Sequence, residues 1–119
     1  PDQPGKIDLK KYGSRIFVDV ARIYALATGV HNTNTVQRLR LSAQRLNTRG
    51  EEINAVVEAL DFIQLLRLRH QQLEGEPGKQ GENLINPDKL NELDRRILKE
   101  SFRQARKIQT RLKLDYQVG

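Results

Sequence analysis

The segment from about Glu51 to Leu73 carries apolar side chains over more than half of a helix's circumference. Ile53, Val56, Val57, Leu60, Ile63 and Leu66 recur at helical spacing, and Phe62, Leu65 and Leu68 widen the band. A helix that is apolar nearly all round is stable only with neighbours on several sides. The rest of the chain must supply those neighbours. Gln64 and Arg67 fall inside or at the border of the band. A guanidinium there needs a carboxylate or a ligand, because a buried charge without a partner is costly.

Three further segments have the pattern required. Ser14 is predicted to cap a first helix running to about Thr28, with Ile16, Val20, Ile23 and Ala27 inward and Phe17, Ala21 and Tyr24 widening the face. Gly29 follows as a C-terminal stop. Asn32-Thr33-Asn34-Thr35 has capping chemistry, and a second helix is expected from Thr35 to about Asn47 on the stripe Val36, Leu39, Ala43 and Leu46. Asn86-Pro87-Asp88 opens a last helix expected from Pro87 to about Tyr116. Its apolar arc is Leu90, Leu93, Ile97, Phe102, Ala105, Ile108 and Leu112. Residues 1–13, punctuated by Pro1, Pro4, Gly5 and Gly13, form a predicted lead-in of extended or turn-rich chain. Residues 75–86, with Gly75, Pro77, Gly78 and Gly81, form a predicted loop. No strand-length alternation follows residue 20. The expected fold class is all-α: an antiparallel four-helix bundle with a short extended N-terminal lead-in, one domain over residues 1–119. With Pro1 at its start and no Met, the chain is expected to be a piece of a longer protein.

The chemistry that is missing narrows the function. There is no Cys, which excludes disulfides, thiolate zinc sites and a cysteine nucleophile. His31 and His70 are the two imidazoles, too few for a metal site of three or four ligands. Gly13-Ser14 is not followed by the Asp-x-Asp pair that would hold catalytic magnesium, so it reads as a helix start. There is no phosphate-binding Gly-rich loop. No apolar run reaches the ~18 residues of a membrane span. No catalytic residue, metal or cofactor is assigned to this chain.

What remains is charge. Lys and Arg number 21 against 15 Asp and Glu, a net +6 that favours anionic partners. Two groups stand out. Asp19, Arg22, Arg38, Arg67, Arg69, His70 and Gln71 are expected to form an inter-helix polar cluster or a substrate-binding pocket, with Asp19 meeting Arg67 or Arg69. A structural ion pair is the plainer alternative. Arg95, Arg96, Lys99, Arg103, Arg106 and Lys107, interrupted by Glu100, form a basic face opposite the core of the last helix. It reads as a solvated surface or as a docking face for an acidic protein or a neighbouring domain. Nucleic acid is the less favoured partner, since aromatic residues are only 5% of the chain and no recognition motif is present.

Five stretches carry a family resemblance. They are Ile7-Asp8-Leu9-Lys10, Val18-Asp19-Val20-Ala21-Arg22-Ile23-Tyr24-Ala25-Leu26, Asn34-Thr35-Val36-Gln37-Arg38-Leu39, Phe62-Ile63-Gln64-Leu65-Leu66-Arg67-Leu68-Arg69-His70-Gln71, and Leu93-Asp94-Arg95-Arg96-Ile97-Leu98-Lys99-Glu100-Ser101-Phe102. In this order, over nearly the whole chain, they resemble the nucleotidyltransferase substrate-binding domain, a helical C-terminal module of bacterial signal-transduction proteins. The resemblance implies an upstream nucleotidyltransferase domain similar to the PII uridylyltransferase, with CBS domains and often a cyclic-nucleotide-binding-like domain before it. Magnesium and a nucleoside triphosphate would belong to that upstream domain. This chain would bind or orient the acceptor substrate, in the cytoplasm, with the upstream domain as its partner and a homo-oligomer open. The alternatives are a helical interaction or dimerisation module without a ligand, and a basic nucleic-acid-binding domain.

Overall fold

The computed structural model describes residues 5–74 and 84–116. The expectations for Pro1 and Pro4, and for the loop residues up to 83, lie outside the described residues. Two short strands and four helices make up the fold: β1 (Ile7–Asp8), α1 (Arg15–Thr28), α2 (Thr35–Arg45), α3 (Gly50–Glu74), β2 (Leu84–Ile85) and α4 (Glu92–Tyr116). It is an all-α four-helix bundle with a two-stranded antiparallel sheet at one end, in which Ile7 faces Ile85 and Asp8 faces Leu84.

The lead-in is shorter than expected. The chain is already helical from Lys10, in a wide π-type turn over Lys10–Ser14 that runs into α1. The Asp8 carboxylate starts it by accepting the Lys10 and Lys11 N–H groups, both at 3.0 Å. Ser14 caps nothing; it is buried. Gly13 is buried with it, for a steric reason. A Cβ on Gly13 would lie 2.7 Å from Ile63 Cδ1 and 3.2 Å from Phe102 Cε1. The turn packs against both α3 and α4 here, and a side chain at this position would press on the ends of Ile63 and Phe102.

The other boundaries follow local chemistry. Gly29 ends α1 in the left-handed conformation, φ 77°, with its N–H on the Ala25 carbonyl. Asn34 caps α2 through the Gln37 N–H at 3.0 Å. The expected single helix from Pro87 is broken. Pro87–Lys89 is a 3₁₀ turn capped by Asn86, Leu90 is extended, and Asn91 caps α4 by accepting the Asp94 N–H at 2.7 Å. Two asparagine caps five residues apart make two starts, and Leu93 of the expected apolar arc is left exposed.

α3 and α4 run antiparallel. Glu52 meets Arg111 at one end of the pair and Arg69 meets Asp94 at the other. α2 folds back along α3 through the turn at Asn47, φ 55°, and Arg40 donates to Asn54 Oδ1 at 2.8 Å. α1 differs from a simple up-and-down order. The turn leading into it passes Phe102 at Gly13, and α1 reaches Asp115 and Tyr116 at Tyr24, so it lies beside α4 in the same sense. α1 packs mainly on α2 and α4, and α3 faces it across the core. Leu9, Phe17, Ile63 and Ala105 are fully buried at the centre. Val20, Tyr24 and Leu112 form a second cluster toward the far end.

Leu60, 3% exposed in the main core, is expected to lose about 2–5 kcal/mol of stability when replaced by Ala. Gly13→Ala should cost about 1–3 kcal/mol by overpacking. Urea unfolding of both variants checks this. A loss below ~1 kcal/mol at Leu60 would place α3 outside the centre.

Candidate functional site

Arg67 does find polar partners, but not Asp19. Its guanidinium donates to Ser14 Oγ at 3.1 Å and to Gln64 Oε1 at 3.0 Å. Asp19 is exposed, and among the described residues no ion pair joins it to Arg67 or Arg69. The reason is helical phase. Five residues separate Ser14 from Asp19, roughly 7.5 Å of rise and about 140° of rotation. With Ser14 turned to the core, Asp19 is turned to solvent. Arg22 shares that outer face. Arg38 lies elsewhere, donating through Nε to the Asn32 carbonyl at 2.6 Å and so bracing the α1–α2 link. Gln71 is half-buried near the end of α3.

Two of the expected residues do come together. Arg69 and His70 line a groove of ≈ 580 Å³ beside the two-stranded sheet. Its remaining walls are Lys6, Leu66, Leu84, Ile85, Asn86, Lys89, Leu90, Asn91 and Asp94. Each wall has a separate origin. α3 brings Leu66, Arg69 and His70. β2 brings Leu84 and Ile85. The 3₁₀ turn and the extended Leu90 bring Asn86, Lys89 and Asn91. The floor is aliphatic and the rim cationic, with Asp94 the one carboxylate among the described lining residues. Arg69 lies 3.5 Å from it. Sequence reasoning missed Lys6, Asn86, Lys89 and Asn91, because they sit in segments without periodicity. The pattern Asn91-Glu92-Leu93-Asp94, a cap followed by acids in the first turn, was the signal available.

The basic face of α4 is less bare than its sequence suggests. Arg96 pairs with Glu92 at 2.8 Å, Arg103 with Glu100 at 2.5 Å, and Arg95 with Asp88 at 4.0 Å. Hydrogen bonds from Arg103 and then Gln104 pull the Glu100 carboxyl from its usual 4.5 down to about 2. Lys99, Arg106 and Lys107 are exposed on the same arc. At the far end, the Tyr24 hydroxyl donates to Asp115 Oδ2 at 2.8 Å. Burial first, then that hydrogen bond, raises the Tyr24 pKa above the usual tyrosine range.

Among the described residues no group of three His, Asp or Glu side chains could hold a metal ion, and no helix is long and apolar enough to cross a membrane. The groove can instead hold an anion-bearing ligand by hydrogen bonds. The family described as "Putative nucleotidyltransferase substrate binding domain" matches residues 1–116, and the chain belongs to it. No curated protein and no solved structure matches the chain.

Because its carboxyl is held low, Glu100 contributes stability that is complete above pH ~4.5 and is lost as pH falls through about 2. Carbon-13 NMR of the Glu100 side chain should show a midpoint near 2. Arg103→Gln should return it toward the ordinary glutamate range. An unmoved midpoint in that variant would discount the Arg103 hydrogen bond.

Proposed function

We propose that this domain binds and orients the acceptor substrate for an adjacent nucleotidyltransferase domain of the same protein, a PII-uridylyltransferase-like enzyme in a bacterial signal-transduction chain with CBS domains. Magnesium and the nucleoside triphosphate sit in the catalytic domain, and this domain contributes no catalytic carboxylate. The parent is cytoplasmic in this reading. Family membership supports the accessory role. The observation that carries it is the groove: an aliphatic floor with a cationic rim, of a size that suits a small ligand or part of a larger one.

A second reading is favoured by α1. Val18 and Leu26 of α1, and Tyr12 of the turn before it, are exposed, Leu26 at 77%, among Arg15, Asp19 and Arg22. Apolar side chains interleaved with charges suit a protein contact. Asp19 and Arg22 then belong to a docking face against the catalytic domain, and Lys99, Arg106 and Lys107 of α4 offer a second one. A homodimer through α1 is the alternative occupant. The nucleic-acid reading is weakened by the acids that interleave with the α4 arginines.

In the parent protein, with labelled nucleoside triphosphate and its acceptor, Arg69→Gln combined with Lys89→Gln should raise the acceptor KM by about a hundredfold, the loss expected for two charge-assisted hydrogen bonds. The triphosphate KM should stay unchanged. A rise confined to the triphosphate KM would move the groove's role to nucleotide binding, and an unchanged acceptor KM would reject the groove as the acceptor site.

A further inference from the structure

The groove's polar lining is mainly donor, with His70 able to donate or accept. Asn86 and Asn91 both use their side-chain oxygen as caps, accepting the Asp88 N–H at 3.0 Å and the Asp94 N–H at 2.7 Å. What each amide has left to offer a ligand is its NH₂ group and the second lone pair of an oxygen already engaged in a cap. Lys6 and Lys89 are donors only, and neither makes an ion pair among the described residues. Arg69 has five N–H donors, and one carboxylate at 3.5 Å leaves most of them for a ligand. Against this set stands Asp94 as the described acceptor with a charge.

We propose that the groove takes a phosphate monoester of mononucleotide size. The phosphate is held by Arg69, Lys89 and Lys6, and the organic body lies on Leu66, Leu84, Ile85 and Leu90. This deepens the reading above and rests on it. Three observations select the class. The three cations come from separate parts of the chain, before β1, in α3 and in the 3₁₀ turn, and they converge on one cavity. Convergence suits one compact dianion better than a row of carboxylates along a peptide. An arginine beside lysines is a natural phosphate grip, since the guanidinium can donate two parallel hydrogen bonds. The ≈ 580 Å³ volume falls within the usual range for small-ligand sites, and the aliphatic floor gives a nucleoside-sized body a surface to cover.

The test is an amide NMR titration of the chain with four probes: adenosine monophosphate, adenosine, inorganic phosphate and a Glu-rich heptapeptide. The monophosphate should saturate and shift the amides of Arg69, Asn86, Lys89 and Asn91. Adenosine should bind at least about tenfold more weakly, and inorganic phosphate should move the same amides. Lys89→Gln, at an exposed position, should weaken the monophosphate by about tenfold. Lys113→Gln, at the other end of α4, should change nothing. Equal affinity for adenosine and its monophosphate, shifts centred outside the groove, or an unaffected Lys89→Gln variant would each overturn the proposal. Saturable peptide binding in the groove with none for the monophosphate would reject the phosphate ligand while leaving the acceptor site standing. Silence from all four probes would reject both.

Discussion

The π-type turn that leads into α1 packs into a gap that a glycine leaves. At Gly13 the backbone passes so close to Ile63 and Phe102 that a Cβ would overlap the first and press on the second. Leu9, one turn earlier, is fully buried, and Asp8 both starts the helical turn and pairs with β2. That pairing holds Leu84 and Ile85 against residues 7–8, and Lys6 stands next in the chain. One wall of the groove is therefore fixed by a packing contact in the core. Arg67 adds a polar tie at the same junction by donating to Ser14. Gln64 accepts from the same guanidinium at 3.0 Å.

The opposite end of the bundle is tied differently. Arg111 of α4 reaches Glu52 of α3 at 2.5 Å and lies 3.8 Å from Asp115, which accepts the Tyr24 hydroxyl of α1. Tyr24 and Tyr116 meet edge to face with centroids 5.5 Å apart. The chain of contacts links three helices. The half-exposed ion pairs in it are each worth little. The tyrosine hydroxyl belongs to a buried residue, and an orphaned hydroxyl there would cost about 1–3 kcal/mol. The tyrosine is thus the member that fixes where α4 ends relative to α1.

The helices were legible in the sequence because burial repeats at the helical period. α3 needed only its apolar band, and α1 and α2 ended and began where Gly29 and Asn34 said they would. Errors arose where two local rules competed. Ser14 has capping chemistry, but Asp8 comes earlier and takes the role, and the close packing at Gly13 buries the serine. Asn86 and Asn91 both cap, and the second one broke the predicted last helix. The sense of α1 beside α4 and its place across the core from α3 are tertiary facts that no period encodes. The Asp19–Arg67 pair fails for a different reason: with Ser14 turned to the core, the helical phase turns Asp19 to solvent. The candidate site was half legible: Arg69 and His70 lie on a periodic helix, whereas Lys6, Asn86 and Lys89 converge only after the two strands pair.

The net charge of +6 says little until it is divided among surfaces. On α4 the arginines stand next to acids of the same helix turn or the turn beside it, so at distances beyond a Debye length, about 8 Å at physiological salt, much of their field cancels. In the groove the balance differs. Lys6, Arg69 and Lys89 converge on a concave, partly aliphatic space with Asp94 as the described counter-charge. Concavity and low polarizability strengthen a local field that a convex helix surface would lose to water. The longer row keeps Lys99, Arg106 and Lys107 exposed, but spread along a helix surface rather than gathered round a cavity. The smaller set, assembled from segments far apart in the chain, is where an anion would be held.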